Sequence, residues 1–506
     1  MLSVFDQGPP APCPTPFNMA EYVLARAREL PDKTALSVLG PDGATDWSYD
    51  AIAKAVRGIA TGLLQRGLCP GDIVLLRLGN TPDFPLAYLG AIAAGLIPVP
   101  SSAQLTVAET SVIIRDLSPG LILHQPGVPC PAHPARLDVG ALEQMRHLPP
   151  ASFDRGDPNR PAYIVYTSGT SGIPRAVLHA HRAIWARRMM MDGWYGLTAQ
   201  DRLLHAGAFN WTYTLGTGVM DPWTMGATAL IPEPGTDPKD LPGLLATHRA
   251  TLFAAAPGVF RKMLQTMDRC ALPDLRHGLA AGEKLSTALR EGWQRATGRP
   301  VLEAYGMSEC STFISASPDH PARDGALGQP QPGRRIAILG ADGPVPRGTE
   351  GVIAVHRSDP GLMLGYRDAP QETAARFQGD WFLTGDQGVM AADGQIHYLG
   401  RADDMMNAGG YRVSPLEVEQ ALAHCPGVEA IGVTDIEVKP DVRVIAAFYT
   451  GSQPLPDRLL ERFAAERLAR YKQPRAYLYL DDLPVGPNGK LLRRALKPLA
   501  KDLIHG

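Results

Sequence analysis

The chain is poor in the features that most readily betray a function. Its 506 residues hold only six cysteines (Cys13, Cys69, Cys130, Cys270, Cys310 and Cys425), none in a CxxC pair or beside a histidine cluster. That argues against a structural zinc site, and thiols so widely spaced fit a reducing cytoplasm better than a disulfide framework. An excess of one charge is missing as well: 49 Lys and Arg face 51 Asp and Glu, for a formal net charge of -2, without a long basic run. Nucleic acid is therefore not an expected partner, and any phosphate is expected to be held locally. The N-terminal stretch "MLSVFDQGPPAPCPTPF" has neither the basic start nor the apolar core of a signal peptide. The longest apolar stretch, near "LAYLGAIAAGLIPVP", is too short to span a bilayer and contains prolines. A cytoplasmic protein without membrane insertion is expected. Internal repeats and low-complexity tracts are absent too.

What is present reads as an α/β protein. A chain of this length exceeds one compact core, so a large layered region and at least one further domain are expected. Helical patterns ("NMAEYVLARAREL", "SYDAIAKAVRGIATGLLQRG", "PDFPLAYLGAIAAG") alternate with strand patterns ("DIVLLRL", "GLILHQP"). Asn18 and Glu21 are placed to cap the first helix, which should stop at Pro31. Short β-rich pieces such as "GVIAVHR" and "GVMAADGQIHYLG", the latter with a turn at Asp393-Gly394, predict a small β-rich subdomain. Ser414, Pro415 and Glu417 then form a capping signature that opens a separate C-terminal unit.

One segment asks for a ligand. In "YIVYTSGTSGIPRAV", residues 163–177, a strand-like run ends in hydroxyls and glycines, followed by a proline and one cation. Gly169 and Gly172 allow close backbone approach, Thr167, Ser168, Thr170 and Ser171 offer hydroxyls beside exposed amides, and Arg175 adds fixed charge. The combination suits phosphate oxygens. Its spacing matches neither a P-loop nor the dinucleotide fingerprint. On its own the stretch leaves open the plainer reading of a surface turn rich in Ser and Gly.

Four later segments follow in order: "AYGMSEC" (304–310), "WFLTGDQG" (381–388), "YLGRADDMMNAGGYRVSPLEVE" (398–419) and "PVGPNGKLLRRAL" (484–496). With the loop, they closely resemble the adenylate-forming superfamily of acyl-CoA synthetases, peptide-synthetase adenylation domains and luciferases, across nearly the whole chain. The local pattern is most similar to its benzoate-CoA ligase and medium-chain acyl-CoA synthetase branch. The resemblance implies a large N-terminal domain over residues 1–402, built of layered α/β subdomains plus the β-rich one. It also implies a small mobile α+β C-terminal domain over 403–506.

It implies roles as well. The loop would hold the β- and γ-phosphates of ATP, with Arg175 as its cation. Glu309 would hold Mg²⁺, a hard cation that prefers carboxylate and phosphate oxygens. Ser308 would bond the α-phosphate, Tyr305 would pack on adenine, and Gly282 and Glu283 of "AAGEKL" would line the same base site with Gly306 nearby. Asp386 would accept the ribose hydroxyls, Arg401 would touch the same sugar, and Asp403 would be the hinge. Lys490 would place a positive charge between the substrate carboxylate and the α-phosphate. Gly409 and Gly410 would let the pantetheine thiol of coenzyme A reach the acyl carbon.

Two departures stand out: Arg175-Ala176 replaces the usual Lys-Gly, and "HAGAFNWTYTLGTG" replaces the usual aromatic-histidine motif. Trp211, Thr212, Tyr213 and Ser311, with Cys310 and Thr312, are expected to wall the acyl pocket, sized for a small aromatic or medium-chain carboxylic acid. The expected reaction makes an acyl-adenylate and pyrophosphate, then acyl-CoA and AMP. Two alternatives stay open: transfer to a carrier-protein thiol, and a catalytically weak nucleotide-binding regulatory protein.

Overall fold

A computed structural model describes residues 1–40, 43–167, 175–267, 269–401, 406–408, 411–439, 442–468, 470–486 and 490–504. The chain divides into two units, Phe5–Arg335 with Val355–Phe382, and Met1–Val4 with Ile336–Ala354 and Leu383–Gly506. The α/β class read from the sequence holds in both.

The first unit is organised around a mixed sheet whose strands run in the order Ala326–Pro330, Ser311–Ser315, Val301–Met307, His277–Ala281, Leu252–Ala255, Arg202–Ala206, Thr228–Pro232, Thr34–Gly40 and Gly43–Ser48. From Val301–Met307 to Thr34–Gly40 every pairing is parallel, and the flanking pairings are antiparallel. Parallel strands of this kind are buried on both faces and read as near-continuous apolar runs. Leu252–Ala255 and His277–Ala281 are buried at every position. A second, parallel sheet contains Ile97–Pro100, Ile73–Arg77, Leu121–His124 and Arg136–Asp138. A third is an antiparallel hairpin of Pro161–Thr167 and Arg175–Ala180, with Gly365–Tyr366 added to its outer edge.

The helices follow their sequence signals with one difference. Tyr49–Gln65 starts where the Ser48 hydroxyl accepts the Ala51 amide, and it buries Ile52, Val56, Ile59 and Leu63 at helical spacing. Asp83–Ala93, apolar almost all round, is buried almost all round. The first helix is shorter than its pattern predicts: Met19–Val23 is α-helical, and Ala25–Arg28 continues as a 3-10 turn. The Leu24 amide bonds the carbonyls of both Ala20 and Tyr22, which tightens the last turn. Asn18 does cap it, but the Glu21 carboxylate turns to Arg155 instead of back to the cap.

The strands Arg335–Gly340, Glu350–His356, Trp381–Met390 and Ile396–Arg401, mostly of the second unit, are sheet neighbours in that order. Further along, Ala430–Lys439 and Val442–Thr450 pair antiparallel, and Ala476–Tyr479 adds in parallel. Helices Pro415–Leu422, Asp457–Ala465 and Arg493–Ile504 complete this α+β part, over cores that include Val418, Val433, Ile445 and Leu422 and, separately, Phe448 and Leu496. Ser414 caps the first of these helices by accepting the Glu417 amide, with Pro415 at the first position. No helix of the described residues is long and apolar enough to cross a membrane.

Candidate active site

The central motif sits where the sheet of the first unit changes from parallel to antiparallel. Strand Val301–Met307 turns back into Ser311–Ser315, and the register slips between Tyr305 and Gly306. A Cβ at Gly306 would lie 2.1 Å from the Ser311 carbonyl oxygen, so only glycine lets the strands meet there. Tyr305 meets Phe313 edge-on, with ring centroids 5.3 Å apart.

Glu309 lies in that turn, and its backbone and side chain are both held. Its carbonyl accepts the Met363 amide at 2.8 Å, and its Oε1 accepts the Tyr366 hydroxyl at 2.7 Å. Burial and the neighbouring Glu309 carboxylate push the Tyr366 pKa up, so the phenol stays a donor. Oε2 of Glu309 has no hydrogen-bond partner among the described residues. A carboxylate oriented by one oxygen and offering the other fits Mg²⁺, which is bound through one or two carboxylates plus substrate phosphates. No group of three or more His, Cys, Asp or Glu among the described residues could hold a metal alone.

The segment that carries Tyr366, "GYRDAPQET" (365–373), reaches a second expected residue. Arg175 stands at the foot of the hairpin opposite Thr167, and its guanidinium pairs with the Glu372 carboxylate. Leu364 N donates to Leu178 O at 2.8 Å and Arg367 N to Ala176 O at 2.9 Å, fastening the segment along the same strand. Tyr366 and Glu372 were not singled out from the sequence. A two-residue strand gives no periodic signal, and only the Gly-Tyr pair ahead of a Pro-initiated helix marks the place.

The expected base loop is also pinned. Gly282 has φ +95°, a conformation that favours glycine. Three residues on, the Leu285 amide donates to Oε1 of Glu303 at 2.9 Å, while Arg290 Nη2 donates to Oε2 at 2.9 Å. Burial raises the Glu303 pKa, against the pull of Lys284, the Leu285 amide and Arg290. Glu283 lies half-buried on this loop.

A narrow cavity of about 20 Å³, partly open to solvent, adjoins the motif. Its walls include Ser308, Ser311, Thr212, His179, Tyr163 and Arg187. Of the residues expected to wall an acyl pocket, Thr212 and Ser311 reach it. Trp211 and Tyr213 are not among its lining residues. Tyr213 turns into the core instead: its hydroxyl donates to Leu279 O at 3.0 Å and its ring stacks on Trp194. Arg187 is fully buried and forks onto Asp221, Nε to Oδ1 at 2.7 Å and Nη2 to Oδ2 at 2.6 Å, with Nη1 donating to Ser311 Oγ at 2.8 Å. Burial alone would lower its pKa, but Asp221 outweighs this and raises it.

The second unit carries the other expected residues. Asp386 and Arg401 stand opposite each other on neighbouring strands, with Nη1 and Oδ1 3.9 Å apart, and the Asp386 amide donates to Thr384 Oγ1 at 3.1 Å. Lys490 is exposed on a pinched loop: Gly486 N donates to Lys490 O and Leu492 N to Pro484 O, both at 2.8 Å. Arg493 is largely buried. It forks onto Glu419, Nε to Oε1 at 3.0 Å and Nη2 to Oε2 at 2.5 Å, and Glu419 also accepts the Val433 amide at 2.8 Å. Ser168, Gly169, Thr170, Ser171, Gly172, Asp403, Gly409, Gly410 and the Thr167 side chain lie outside the described residues.

A family model described as AMP-binding enzyme matches residues 23–367, and another described as AMP-binding enzyme C-terminal domain matches 417–490. A mitochondrial acyl-coenzyme A synthetase of Homo sapiens is 30% identical, over 96% of this chain and 91% of its own length. A 3-hydroxybenzoate–CoA ligase of an Aromatoleum species is 27% identical over 96% and 97%. Among solved structures, ATP-bound MatB from Rhodopseudomonas palustris superposes with a TM-score of 0.85 at 26% identity, covering 96% of this chain and 100% of that one. A benzoate CoA ligase from Burkholderia xenovorans gives 0.83 at 26%, covering 95% and 100%.

Proposed function

The chain belongs to the AMP-binding enzyme family, and on that premise we propose that it activates a small aromatic or medium-chain carboxylic acid with ATP and passes the acyl group to coenzyme A. It is an AMP-forming ligase. The acid is the finer part of the proposal, and the relatives named for 3-hydroxybenzoate and benzoate favour an aromatic one.

The observation that carries the reading is the pairing of a positioned carboxylate with a cavity. Tyr366 orients Glu309, and the residue just before it, Ser308, forms part of the cavity wall. A carboxylate suited to Mg²⁺ thus stands one residue from the wall of that cavity.

In the proposed first half-reaction a carboxylate oxygen attacks the α-phosphorus of ATP, the bond to the β-phosphate oxygen breaks, and pyrophosphate leaves. Negative charge moves from the attacking oxygen to the leaving group, so a cation from Lys490 lowers the barrier. Arg175 and the loop it closes hold the outer phosphates, Ser308 bonds the α-phosphate, and Tyr305, Gly282 and Glu283 take the base. Asp386 and Arg401 take the ribose. Glu309 would hold Mg²⁺, which when bound supplies charge neutralisation on the phosphates. In the second half-reaction the coenzyme A thiol loses its proton to solvent and attacks the acyl carbonyl past Gly409 and Gly410, and AMP departs with the electron pair of the broken acyl–oxygen bond. The proposal assigns the large domain to residues 1–402 and the small one to 403–506, with Asp403 as hinge.

Carboxylate-dependent ATP–pyrophosphate exchange without coenzyme A tests the first step, across benzoates and straight or branched acids of two to ten carbons. Exchange with one group, followed by thioester and AMP once coenzyme A is added, is expected. ATP binding without exchange for any acid would overturn the proposal.

A further inference from the structure

One wall of the cavity is chemically unfinished. His179, on the strand Arg175–Ala180, is 1% exposed and stacks on Tyr163 with ring centroids 4.8 Å and planes 13° apart. Its Nε2 lies 2.7 Å from the Ser308 carbonyl oxygen. A carbonyl has no proton to give, so Nε2 carries the hydrogen and donates it. Burial, outweighing that bond, pulls the pKa down to about 4, which keeps the ring neutral. In a neutral ring with its proton on Nε2, Nδ1 is a bare acceptor, and here it is buried without a partner among the described residues.

The rest of the wall narrows what that acceptor could meet. Arg187 also lines the cavity, but Asp221 already matches its charge and Ser311 takes a further donor. The wall therefore offers no unmatched positive charge to a second carboxylate. What stays unmatched on it is the His179 Nδ1 acceptor. We propose that His179 is a specificity-determining residue whose Nδ1 accepts a hydrogen bond from a hydroxyl or amino group on the acyl part of the acid. This rests on the acid-activating function proposed above and names the class of acid: one bearing a donor beyond its carboxylate.

The test uses the full chain and matched acids. Hydroxy- and aminobenzoates at each ring position are compared with their methoxy and methyl counterparts, and ω-hydroxy straight-chain acids with their methyl-terminated equivalents, by kcat/KM in ATP–pyrophosphate exchange. In at least one set the donor-bearing acids should exceed the methoxy and methyl acids by about 10- to 100-fold, because only they pair the buried acceptor. The hydroxyl and amino arms distinguish which donor is read. His179→Phe, which keeps a ring against Tyr163, should reduce that ratio to within about threefold. A wild-type chain that treats methoxy and methyl acids as well as their donor-bearing partners in every set would overturn the inference alone, as would a His179→Phe chain that keeps the ratio. Should the variant fail to fold, the wild-type ratios still decide. Absence of exchange with every acid would remove the parent proposal and this inference together.

Discussion

Replacing Arg493 by leucine should loosen the part of the chain that presents Lys490. Arg493 begins the helix Arg493–Ile504, three residues after Lys490, and forks onto Glu419 with both side chains largely buried, at 16% and 11% exposed. Arg493→Leu would take the forked guanidinium from the Glu419 carboxylate, which also accepts the Val433 amide. Breaking a fully buried pair costs about 3–5 kcal/mol, and the residual solvent access here lowers this to about 2–3 kcal/mol. At about 1.4 kcal/mol per tenfold change, local opening becomes about 30- to 150-fold more frequent. Amide hydrogen exchange reads this segment directly, whereas a chain of two units is poorly served by a single melting temperature. The Val433 amide and those of the helix should exchange faster by that factor. The double variant Glu419→Leu/Arg493→Leu should recover most of the protection, since the buried carboxylate goes together with its guanidinium. Unchanged exchange in Arg493→Leu, or a double variant as exposed as the single, would refute the assignment of this pair as the clamp beneath Lys490.

Other outcomes are equally specific. Lys490→Ala should slow acid-dependent pyrophosphate exchange by about 100- to 1000-fold while leaving the melting profile unchanged, because the residue is exposed; an exchange rate within threefold of wild type would contradict its role. Tyr366→Phe keeps the packing but frees Oε1 of Glu309, so exchange at limiting Mg²⁺ should fall about tenfold and recover at excess Mg²⁺, as a metal titration would show. Stability should fall as pH drops below 6.5. Burial holds His179 and His277 at about 4 and His181 and His205 at about 3, each below the ordinary 6.5. Above pH 6.5 neither state binds the proton and these groups contribute nothing. Below it only the unfolded chain does, at a cost approaching about 2 kcal/mol per histidine by pH 5. Denaturation series at pH 7 and pH 5 should show the loss in the unit that contains them.

The legible parts of this molecule were those with a repeating or chemical signature. The burial spacing of Ile52, Val56, Ile59 and Leu63, and the Ser414-Pro415 start of a helix, are visible because hydroxyl caps and helical periods are local. Local signals misled where a side chain found a distant partner. Glu417 completes a capping box on paper, yet its carboxylate meets Lys472 at 2.5 Å, and Glu21 likewise turns to Arg155. Arg493 looks like one of several surface charges until Glu419, far earlier in the chain, is brought beneath it. The motif around Glu309 stood out from its neighbours in sequence, but Tyr366 and Glu372, which hold Glu309 and Arg175, sit in a segment with no period to detect. Tyr213 shows the converse: a good pocket residue by proximity to the motif, it spends its hydroxyl on Leu279.

The attachment of residues 363–373 to both the hairpin and the Glu309 turn bears on how the chain could be recombined with a relative. Met363, Leu364, Tyr366, Arg367 and Glu372 reach back to Glu309, Leu178, Ala176 and Arg175, so pieces distant in the gene are matched in space. A hybrid gene joined anywhere between codons 310 and 362 would take the turn and the hairpin from one parent and their fastening from the other. Junctions placed after the helix Pro370–Ala375 would keep the matched pieces together. A library of hybrids sorted for catalysis should therefore be depleted of crossovers in that interval, even where each parent alone is fully active.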